Sequence, residues 1–246
     1  MTKLKSDATR AEMTETNDLI YGVHPVVEAL KNPRRKFVNL KASKNAADRF
    51  ASEIRAAKVR LEIVHPRDLD KRLGADAVHQ GLLLEALPLT QPRLDQIEKS
   101  GIVALLDQVT DPHNVGAILR SCAAFGATAL IATARHSPEG SGVLFKSASG
   151  AYEHVPYVKV TNLARAMEEL KAEGFRMVGL DSEAPASITG TARTLPLAIV
   201  LGAEGKGLRQ LTRATCDELV RLDLAGPIDS LNVSNAAAVA LFALTR

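Results

Sequence analysis

The stretch SLNVSNAAAVALF, residues 230–242, carries the most information about the fold of this 246-residue chain. Three polar residues, Ser230, Asn232 and Ser234, stand at the start of a predicted helix of small apolar residues. The first N–H groups of a helix have no partner inside it, so this position suits an anion or the polar end of a cofactor. Two more stretches follow predicted strands and share this character: TDPHNVGAILRS at 110–121 and LGAEGKGL at 201–208. Together the three stretches indicate one composite site.

The composition is typical of a globular chain with an aliphatic core. Hydrophobic residues make up 46% of the chain, but aromatic residues make up only 4% and Trp is absent. No apolar run approaches the roughly 18 residues of a membrane span, and residues 1–18 lack the apolar segment of a secretory signal. The two cysteines, Cys122 and Cys216, are far apart, which favours a reducing compartment over a disulfide. We therefore expect a cytoplasmic protein with no membrane partner.

Positive charge is concentrated in the N-terminal part of the chain. Residues 1–90 carry 16 basic and 12 acidic residues, a balance of +4, whereas residues 91–246 carry 15 and 16, a balance of −1. Within residues 31–60 there are 10 basic residues against 2 acidic ones. A solvated helical face would explain such a run, but the asymmetry between the two parts favours contact with nucleic-acid phosphates. The candidate RNA-binding residues are Arg34, Arg35 and Lys36.

Two prolines in LPLTQPRLDQ, residues 87–96, separate two regions of regular pattern. We predict a disordered tail over 1–17, a small α/β domain over 18–87, a linker over 88–100 and a second domain over 101–246. In the small domain the pattern predicts strands at 37–42, 61–64 and 81–86, and helices at 25–30, at 45–58 with Asn45 as the cap, and from Pro66.

Strand and helix patterns alternate throughout the second region. The predicted strands cover 102–107, 129–132, 155–160, 175–180, 197–202 and 218–224. The predicted helices cover 114–125, 142–149, 163–173 with Asn162 as the cap, 207–214 and 231–245. This alternation predicts an α/β fold with a mostly parallel sheet covered by helices on both faces. Ligands bind such sheets at the carboxyl ends of the strands, where the three polar stretches are expected.

Several common chemistries lack their sequence signatures. No Gly-x-Gly-x-x-Gly motif joins a strand to a helix, so a nicotinamide site of the Rossmann type is not indicated. Gly205-Lys206 is similar to part of a phosphate-binding loop, but Gly207 stands where Ser or Thr is required. The six histidines are scattered without the spacing of metal ligands, and we predict no metal site.

The three polar stretches resemble, in order and spacing, the signature motifs of the SpoU/TrmH family of RNA ribose 2′-O-methyltransferases. The motif positions are Asn114, Gly116 and Arg120, then Gly202, Glu204 and Gly207, then Ser230, Leu231 and Asn232. Further stretches resemble the RlmB-like branch, which methylates a guanosine ribose of large-subunit ribosomal RNA. They lie at 21–30, 79–81, 149–151, 155–156 and 161–167. The resemblance covers nearly the whole chain.

The resemblance implies a fold and partners that periodicity does not reveal. It implies a SPOUT catalytic domain with a trefoil knot, formed by threading the C-terminal segment through a loop. It implies S-adenosyl-L-methionine bound in the knot, and a homodimer whose active site takes residues from both subunits. It also implies that residues 18–87 form an L30e-like RNA-binding domain, in agreement with the basic patch.

Arg120 occupies the family's catalytic position. A ribose 2′-hydroxyl is a poor nucleophile and must lose its proton as the new bond forms. Arginine has a very high pKa and is rarely a base. Two roles are therefore open: deprotonation through contact with an RNA phosphate, or a charged guanidinium that stabilises the developing alkoxide, which we favour on physical grounds.

The remaining motif residues support Arg120 or the cofactor. Asn114 is expected to contact Arg120, the ribose or a phosphate, with helix capping as the alternative. Glu204 is expected to orient Arg120. Ser230 and Asn232 are expected to hold Arg120 or the amino-acid end of the cofactor, again with capping as the alternative. The expected cofactor-binding residues are Gly202, Leu222 and Leu231, which resemble the positions that hold the adenosine.

One departure from the branch stands before the third motif, where Leu222-Asp223-Leu224 replaces the usual Ile-Pro-Met. Every polar motif residue is nevertheless present. The competing hypotheses are a transfer-RNA ribose methyltransferase and a non-catalytic RNA-binding factor in ribosome assembly. Loss of Asn114, Arg120 or Glu204 would mark the non-catalytic factor, and none is lost. The long basic N-terminal region argues against the smaller transfer-RNA enzymes.

Overall fold

Two β-sheets organise residues 17–135 and 137–245, which are the residues that the computed structural model describes. The predicted disordered tail, residues 1–17, lies outside the described residues except for Asn17. No helix in the described ranges is long and apolar enough to span a membrane.

The first sheet belongs to the N-terminal region and has four strands in the order β1-β4-β2-β3. Strands β1 and β2 run antiparallel to β4, and β2 runs parallel to β3. The elements are β1 (Asp18–Tyr21), α1 (Val23–Lys31), β2 (Phe37–Ala42), α2 (Lys44–Arg49), α3 (Ala51–Ala57), β3 (Leu61–Ile63), α4 (Pro66–Leu73) and β4 (Leu82–Ala86).

Two features of this first sheet region differ from the prediction. Strand β1 was not predicted, because its four residues are too few for a periodic pattern and their pairing with β4 is a tertiary contact. The helix predicted at 45–58 is divided at Phe50 into α2 and α3. Its cap is Ser43 rather than Asn45, since the Ser43 hydroxyl accepts from the Ala46 N–H.

The second sheet has seven strands, all paired in parallel, in the order β7-β6-β5-β10-β8-β11-β9. The predicted α/β fold with a mostly parallel sheet is confirmed. The strands are β5 (Ile102–Asp107), β6 (Ala129–Thr133), β7 (Tyr157–Val160), β8 (Arg176–Leu180), β9 (Ala186–Ser187), β10 (Leu197–Gly202) and β11 (Glu218–Arg221). The helices are α5 (Pro112–Phe125), α6 (Gly142–Ala148), α7 (Leu163–Ala172), α8 (Gln210–Thr215) and α9 (Val233–Leu244).

Side chains of the central strands alternate between two apolar layers. Val103 and Leu105 of β5 pack in a cluster with α7, whereas Ala104 and Leu106 pack in a cluster with α5, α6 and α9. All four side chains are completely buried. Because helices cover both faces of the sheet, the polar groups that can contact a ligand lie at the ends of the strands.

A buried ion cluster joins the two sheet regions. Arg35, next to β2, donates from Nη1 to Asp18 Oδ2 at 2.6 Å and from Nη2 to Glu153 Oε1 at 2.8 Å. The Arg35 side chain is fully buried, so its predicted role in RNA binding is wrong. Arg34 is exposed and donates to the Glu153 carbonyl, and Lys36 is exposed. Basic residues that are adjacent in sequence thus divide between an internal contact and the surface.

Burial raises the pKa of the Asp18 carboxyl above its usual value, even though Arg35 donates to it. Replacing Arg35 by Met leaves two buried carboxyl groups without their cation, and we expect a loss of about 3–5 kcal/mol in the free energy of unfolding at pH 8. A carboxyl group whose pKa is raised by folding stabilises the fold at low pH, and this contribution is lost as the pH rises through the raised pKa. The deficit of Arg35→Met should therefore shrink as the pH falls.

Urea unfolding at several pH values measures this deficit. The matched control is Lys41→Met, which removes a half-exposed cation paired with Glu62 and should cost no more than about 1 kcal/mol. Equal losses for the two variants, or a deficit for Arg35→Met that grows as the pH falls, would contradict the structural role of the buried cluster.

Candidate active site

The three polar stretches meet at the carboxyl edge of the seven-stranded sheet. Strands β5 and β10 are neighbours, and Gly202 at the end of β10 lies opposite Asp107 at the end of β5. The chain leaves β5 into α5, leaves β10 into the loop 203–209, and returns after β11 through 222–232 into α9. The sequence-based prediction of a composite site at this edge therefore agrees with the position of the loops.

One carboxylate oxygen connects all three stretches. Glu204 Oε1 accepts from Asn232 Nδ2 at 2.5 Å, from the Val233 N–H at 3.2 Å and, more weakly, from Asn114 Nδ2 at 3.4 Å. Asn232 Nδ2 also donates to Asn114 Oδ1 at 2.9 Å. A carboxylate at the start of a helix satisfies a free N–H group and interacts favourably with the helix dipole. Glu204 therefore fixes the start of α9 against the first turn of α5.

Capping explains Asn232 in part but does not explain Asn114. Asn232 Oδ1 accepts from the Ser234 N–H at 2.9 Å, so this residue caps α9 while its amide nitrogen contacts the other motifs. Helix α5 is capped by Asp111, whose Oδ1 accepts from the His113 N–H. The capping alternative for Asn114 is therefore wrong, and its amide is held by Glu204 and Asn232 instead.

Two motif glycines are required by close approach of the chain. A Cβ on Gly202 would stand 2.2 Å from the carbonyl carbon of Gly207, so only glycine fits where the loop 203–209 folds back. A Cβ on Gly116 would stand 2.6 Å from Ser147 Cβ and 2.7 Å from the Leu144 carbonyl oxygen. Gly116 therefore lets α5 and α6 pack closely, which is a structural role.

A cavity of about 370 Å³ opens beside Glu204 at the ends of β8, β10 and β11. All three predicted cofactor-binding residues line it, as do two of the predicted catalytic residues: Gly202, Leu222, Leu231, Glu204 and Ser230. Leu180 extends the apolar wall, and Ser182 and Asp229 add polar groups that the sequence analysis did not identify. Ser182 follows β8. Because ligands bind parallel sheets at the carboxyl ends of the strands, its position after a predicted strand could have identified it from the sequence.

A second cavity of about 390 Å³ lies on the other side of Glu204. Asn114, Thr110 and Lys206 line it, and Ala203, Glu204 and Val233 line both cavities. Lys206 was not among the predicted site residues. The Glu204 carboxylate thus stands between an apolar cavity with polar ends and a polar cavity.

Arg120 lies apart from the other motif residues within one chain. It is exposed, and no described residue forms a hydrogen bond or ion pair with it. It stands six residues beyond Asn114 on α5, about 9 Å along the helix axis and roughly 240° around it. The expectations that Glu204 orients Arg120, and that Asn114 contacts it, are therefore not met within a single chain.

Neither cysteine is suited to be a nucleophile. Burial raises the pKa of the Cys122 thiol to about 12, and burial is also the main cause that raises the pKa of Cys216 to about 12. The reactive species is the thiolate, whose fraction at such a pKa is about 10⁻⁴ at pH 8. Within 17–135 and 137–245, no group of three or more His, Cys, Asp or Glu residues is arranged to hold a metal ion.

These pKa values predict that native protein does not react with a thiol reagent such as Ellman's reagent at pH 8 on the time scale of minutes. Protein unfolded in guanidinium chloride should release two equivalents of the coloured thiolate, which serves as the control. The native reaction should accelerate as the pH rises, because the thiolate fraction grows. A rapid stoichiometric reaction of the native protein at pH 8 would refute the assignment.

Comparison with known proteins places these features in a family. The model of the SpoU rRNA Methylase family matches residues 101–242, and the model of the RNA 2′-O ribose methyltransferase substrate-binding domain matches residues 19–92. The chain is 39% identical over 242 residues to the 23S rRNA (guanosine-2′-O-)-methyltransferase RlmB of Vibrio vulnificus, which covers 94% of this chain and 97% of the relative. It is 40% identical over 237 residues to the protein of the same name from Ralstonia nicotianae, with coverage of 93% and 95%.

A solved structure agrees over nearly the same length. The SpoU methyltransferase AviRb from Streptomyces viridochromogenes, crystallised with the cofactor AdoMet, superposes with a TM-score of 0.80 at 25% identity and covers 94% of this chain and 89% of its own. The family match spans more than half of the chain and includes all three loops that meet at Glu204, so this chain belongs to the SpoU rRNA methylase family.

Proposed function

We propose that this protein transfers a methyl group from S-adenosyl-L-methionine to the 2′-hydroxyl of a guanosine ribose in 23S ribosomal RNA. The observation that carries the proposal is the convergence of three family motifs on Glu204 Oε1, next to a cavity that has an apolar wall and polar ends. The names of relatives with 39% and 40% identity over nearly the whole chain support the substrate.

The cavity beside Glu204 fits this cofactor by its chemistry. Leu180, Leu222 and Leu231 form an apolar wall for the adenine, and Gly202 lets the loop 203–209 fold back against β10, which shapes the wall beside them. The carboxylates of Glu204 and Asp229 suit a positively charged ligand. S-adenosyl-L-methionine, when bound, supplies the activated methyl group on its sulfonium.

The protein's own residues must then position the hydroxyl and stabilise the negative charge that develops on its oxygen. The 2′-oxygen has to lie in line with the methyl–sulfur bond that breaks, and its proton passes to solvent as the oxygen–carbon bond forms, because a charged Arg120 cannot accept it. Asn114 lines the second cavity, where its amide can contact a ribose or a phosphate, and Asn232 holds that amide by donating to its oxygen at 2.9 Å. Arg120 stays charged and stabilises the developing alkoxide, an effect of about 10²–10³ in rate.

A homodimer supplies Arg120 to this site. Within one chain the guanidinium lies on a different face of α5 from Asn114 and has no described partner. Helix α9 packs against α5, and its exposed Val239 and Phe242 give that surface an apolar character. Two copies of the chain joined through this surface would bring Arg120 of one subunit to the site of the other.

The trefoil knot belongs to the same proposal. The segment 222–232 leaves β11 near the edge of the sheet and returns to its centre, where Asn232 contacts the loop after β10. Helix α9 then packs on β10 and α5. This course supports threading of the C-terminal segment past the loop 203–209. The domain limits 18–87, 88–100 and 101–246 and a cytoplasmic location complete the proposal.

Methyl transfer from tritiated S-adenosyl-L-methionine tests the function. Unmodified 23S ribosomal RNA and transfer RNA are offered separately, and the labelled nucleotide is mapped. We expect label at the ribose of a single guanosine in the ribosomal RNA. Label in transfer RNA alone would overturn the substrate, and absence of label in both, with the cofactor bound, would favour the non-catalytic factor.

Replacing Arg120 by Ala should lower the rate of transfer by about 10²–10³-fold while changing the cofactor affinity by no more than a few-fold. The reason is that Arg120 does not line the cofactor cavity. Arg193→Ala is the matched control, since Arg193 is also an exposed arginine without a described partner and precedes β10 at the opposite edge of the sheet. Near-normal turnover of Arg120→Ala would remove its catalytic role.

Mixed dimers test whether Arg120 acts across the subunit boundary. Co-expression of Arg120→Ala with Glu204→Ala, under two affinity tags, yields dimers in which one site keeps Glu204 from the first chain and Arg120 from the second. Activity of this mixed dimer well above that of either variant alone is expected. Mixed dimers as inactive as their parents would refute a shared site.

A further inference from the structure

A separate cavity of about 270 Å³ lies at the carboxyl ends of β6 and β7, on the same edge of the sheet as the active site. It does not share a lining residue with either cavity beside Glu204. The residues that give it chemical character are Thr133, Arg135, Asn162, Leu163, Ala164 and Arg209. The stretch 161–167, singled out in the sequence for its resemblance to the RlmB-like branch, contributes three of them.

Thr133 is the first sign that this cavity takes a ligand. The residue ends β6 and is only 6% exposed, and its hydroxyl oxygen is buried without a hydrogen-bond partner among the described residues. Buried polar side chains are nearly always hydrogen-bonded, so an unpartnered one requires an explanation. Because Thr133 lines the cavity, its hydroxyl is an unpartnered group of this wall that can donate to an oxygen-rich ligand.

Two arginines make the cavity positive. The fully buried carboxylate of Asp107 accepts from Arg209 Nε at 2.6 Å and from the Arg209 N–H at 2.9 Å, which fixes the base of that guanidinium. The two Nη groups of Arg209 donate to no described residue. Arg135 is exposed and also has no partner in the described ranges. Because Asp107 balances one of the two cations, a net positive charge remains for a ligand.

The start of α7 adds backbone donors. Asn162 caps this ten-residue helix by accepting from the Arg165 N–H at 3.2 Å. The N–H groups of Leu163 and Ala164 come earlier in the helix and donate to no described residue. Free N–H groups at the positive end of a helix, next to a hydroxyl and two guanidinium groups, form an arrangement that binds phosphate.

We propose that this cavity binds a phosphate of the substrate RNA backbone, a few nucleotides from the ribose that is methylated. The inference rests on the proposed function and deepens it. Strand β6 stands two strands from β10, roughly 10 Å at about 5 Å per strand, which is about three stacked nucleotides. The loop 203–209 connects the two sites directly, with Glu204 near one end and Arg209 at the other.

RNA binding by the full-length protein, measured against salt concentration, tests the proposal. We expect Arg135→Ala to weaken binding of 23S ribosomal RNA fragments about tenfold and to reduce the slope of log K against log salt by roughly 0.7–0.9, the loss of one phosphate contact. Thr133→Val removes only the unpartnered hydroxyl and should weaken binding a few-fold with an unchanged slope. Arg193→Ala is the control, and cofactor affinity should be unchanged throughout.

Inorganic phosphate distinguishes an RNA phosphate from a free one. At constant ionic strength, phosphate should compete with RNA for the wild-type protein and compete less for Arg135→Ala. If phosphate binds the wild type and not Arg135→Ala, but both bind RNA equally, the cavity takes a free anion and the proposal is overturned. If both variants bind RNA with the affinity and the salt slope of the wild type, the proposal is overturned as well. If the wild type transfers no methyl group to any RNA while both variants still lose RNA affinity, the proposed function fails and the phosphate subsite stands.

Discussion

The contact on which the active site depends is the acceptance of three hydrogen bonds by a single oxygen of Glu204. Its donors come from the first turn of α5 and from the start of α9, more than a hundred residues apart in sequence. Charge-assisted hydrogen bonds of this kind are stronger than neutral ones. They therefore hold the two helix starts at a set separation, with one cavity on each side of the carboxylate. A site built this way exists only when all three loops are in place.

The parallel sheet explains why the loops meet at all. Its central strands are covered on both faces, so the residues that alternate along β5 all enter an apolar layer. Polar side chains are confined to the ends of the strands, and in a parallel sheet every carboxyl end lies on the same edge. The three cavities follow one another along this edge, from the ends of β7 and β6 through β5 to β10, β8 and β11. This line of cavities offers an extended surface, as a nucleic-acid strand requires.

Buried charge has a different role between the two sheet regions. The Arg35 guanidinium is enclosed by Asp18 and Glu153 and stands near the rings of Phe145 and Tyr152, so its charge is paired inside the protein. A charge buried in this way must keep its partners, because an unpaired ion in the interior is very unfavourable. The N-terminal region is thereby held against the catalytic sheet by a contact that restricts how the two can move.

The sequence by itself determined the fold class, the order of nearly all the strands and helices, and the three loops of the site. These features follow from local periodicity and from short motifs, which adjacent residues carry. Only the tertiary structure decided that Asn114 contacts Glu204 instead of capping α5, that Arg120 lies apart from both, and that Arg35 is internal while Lys36 is exposed. Each of these depends on which distant residues come together, and neither composition nor spacing encodes that. The cavity around Thr133 became visible for the same reason, since its donors come from three separate segments of the chain.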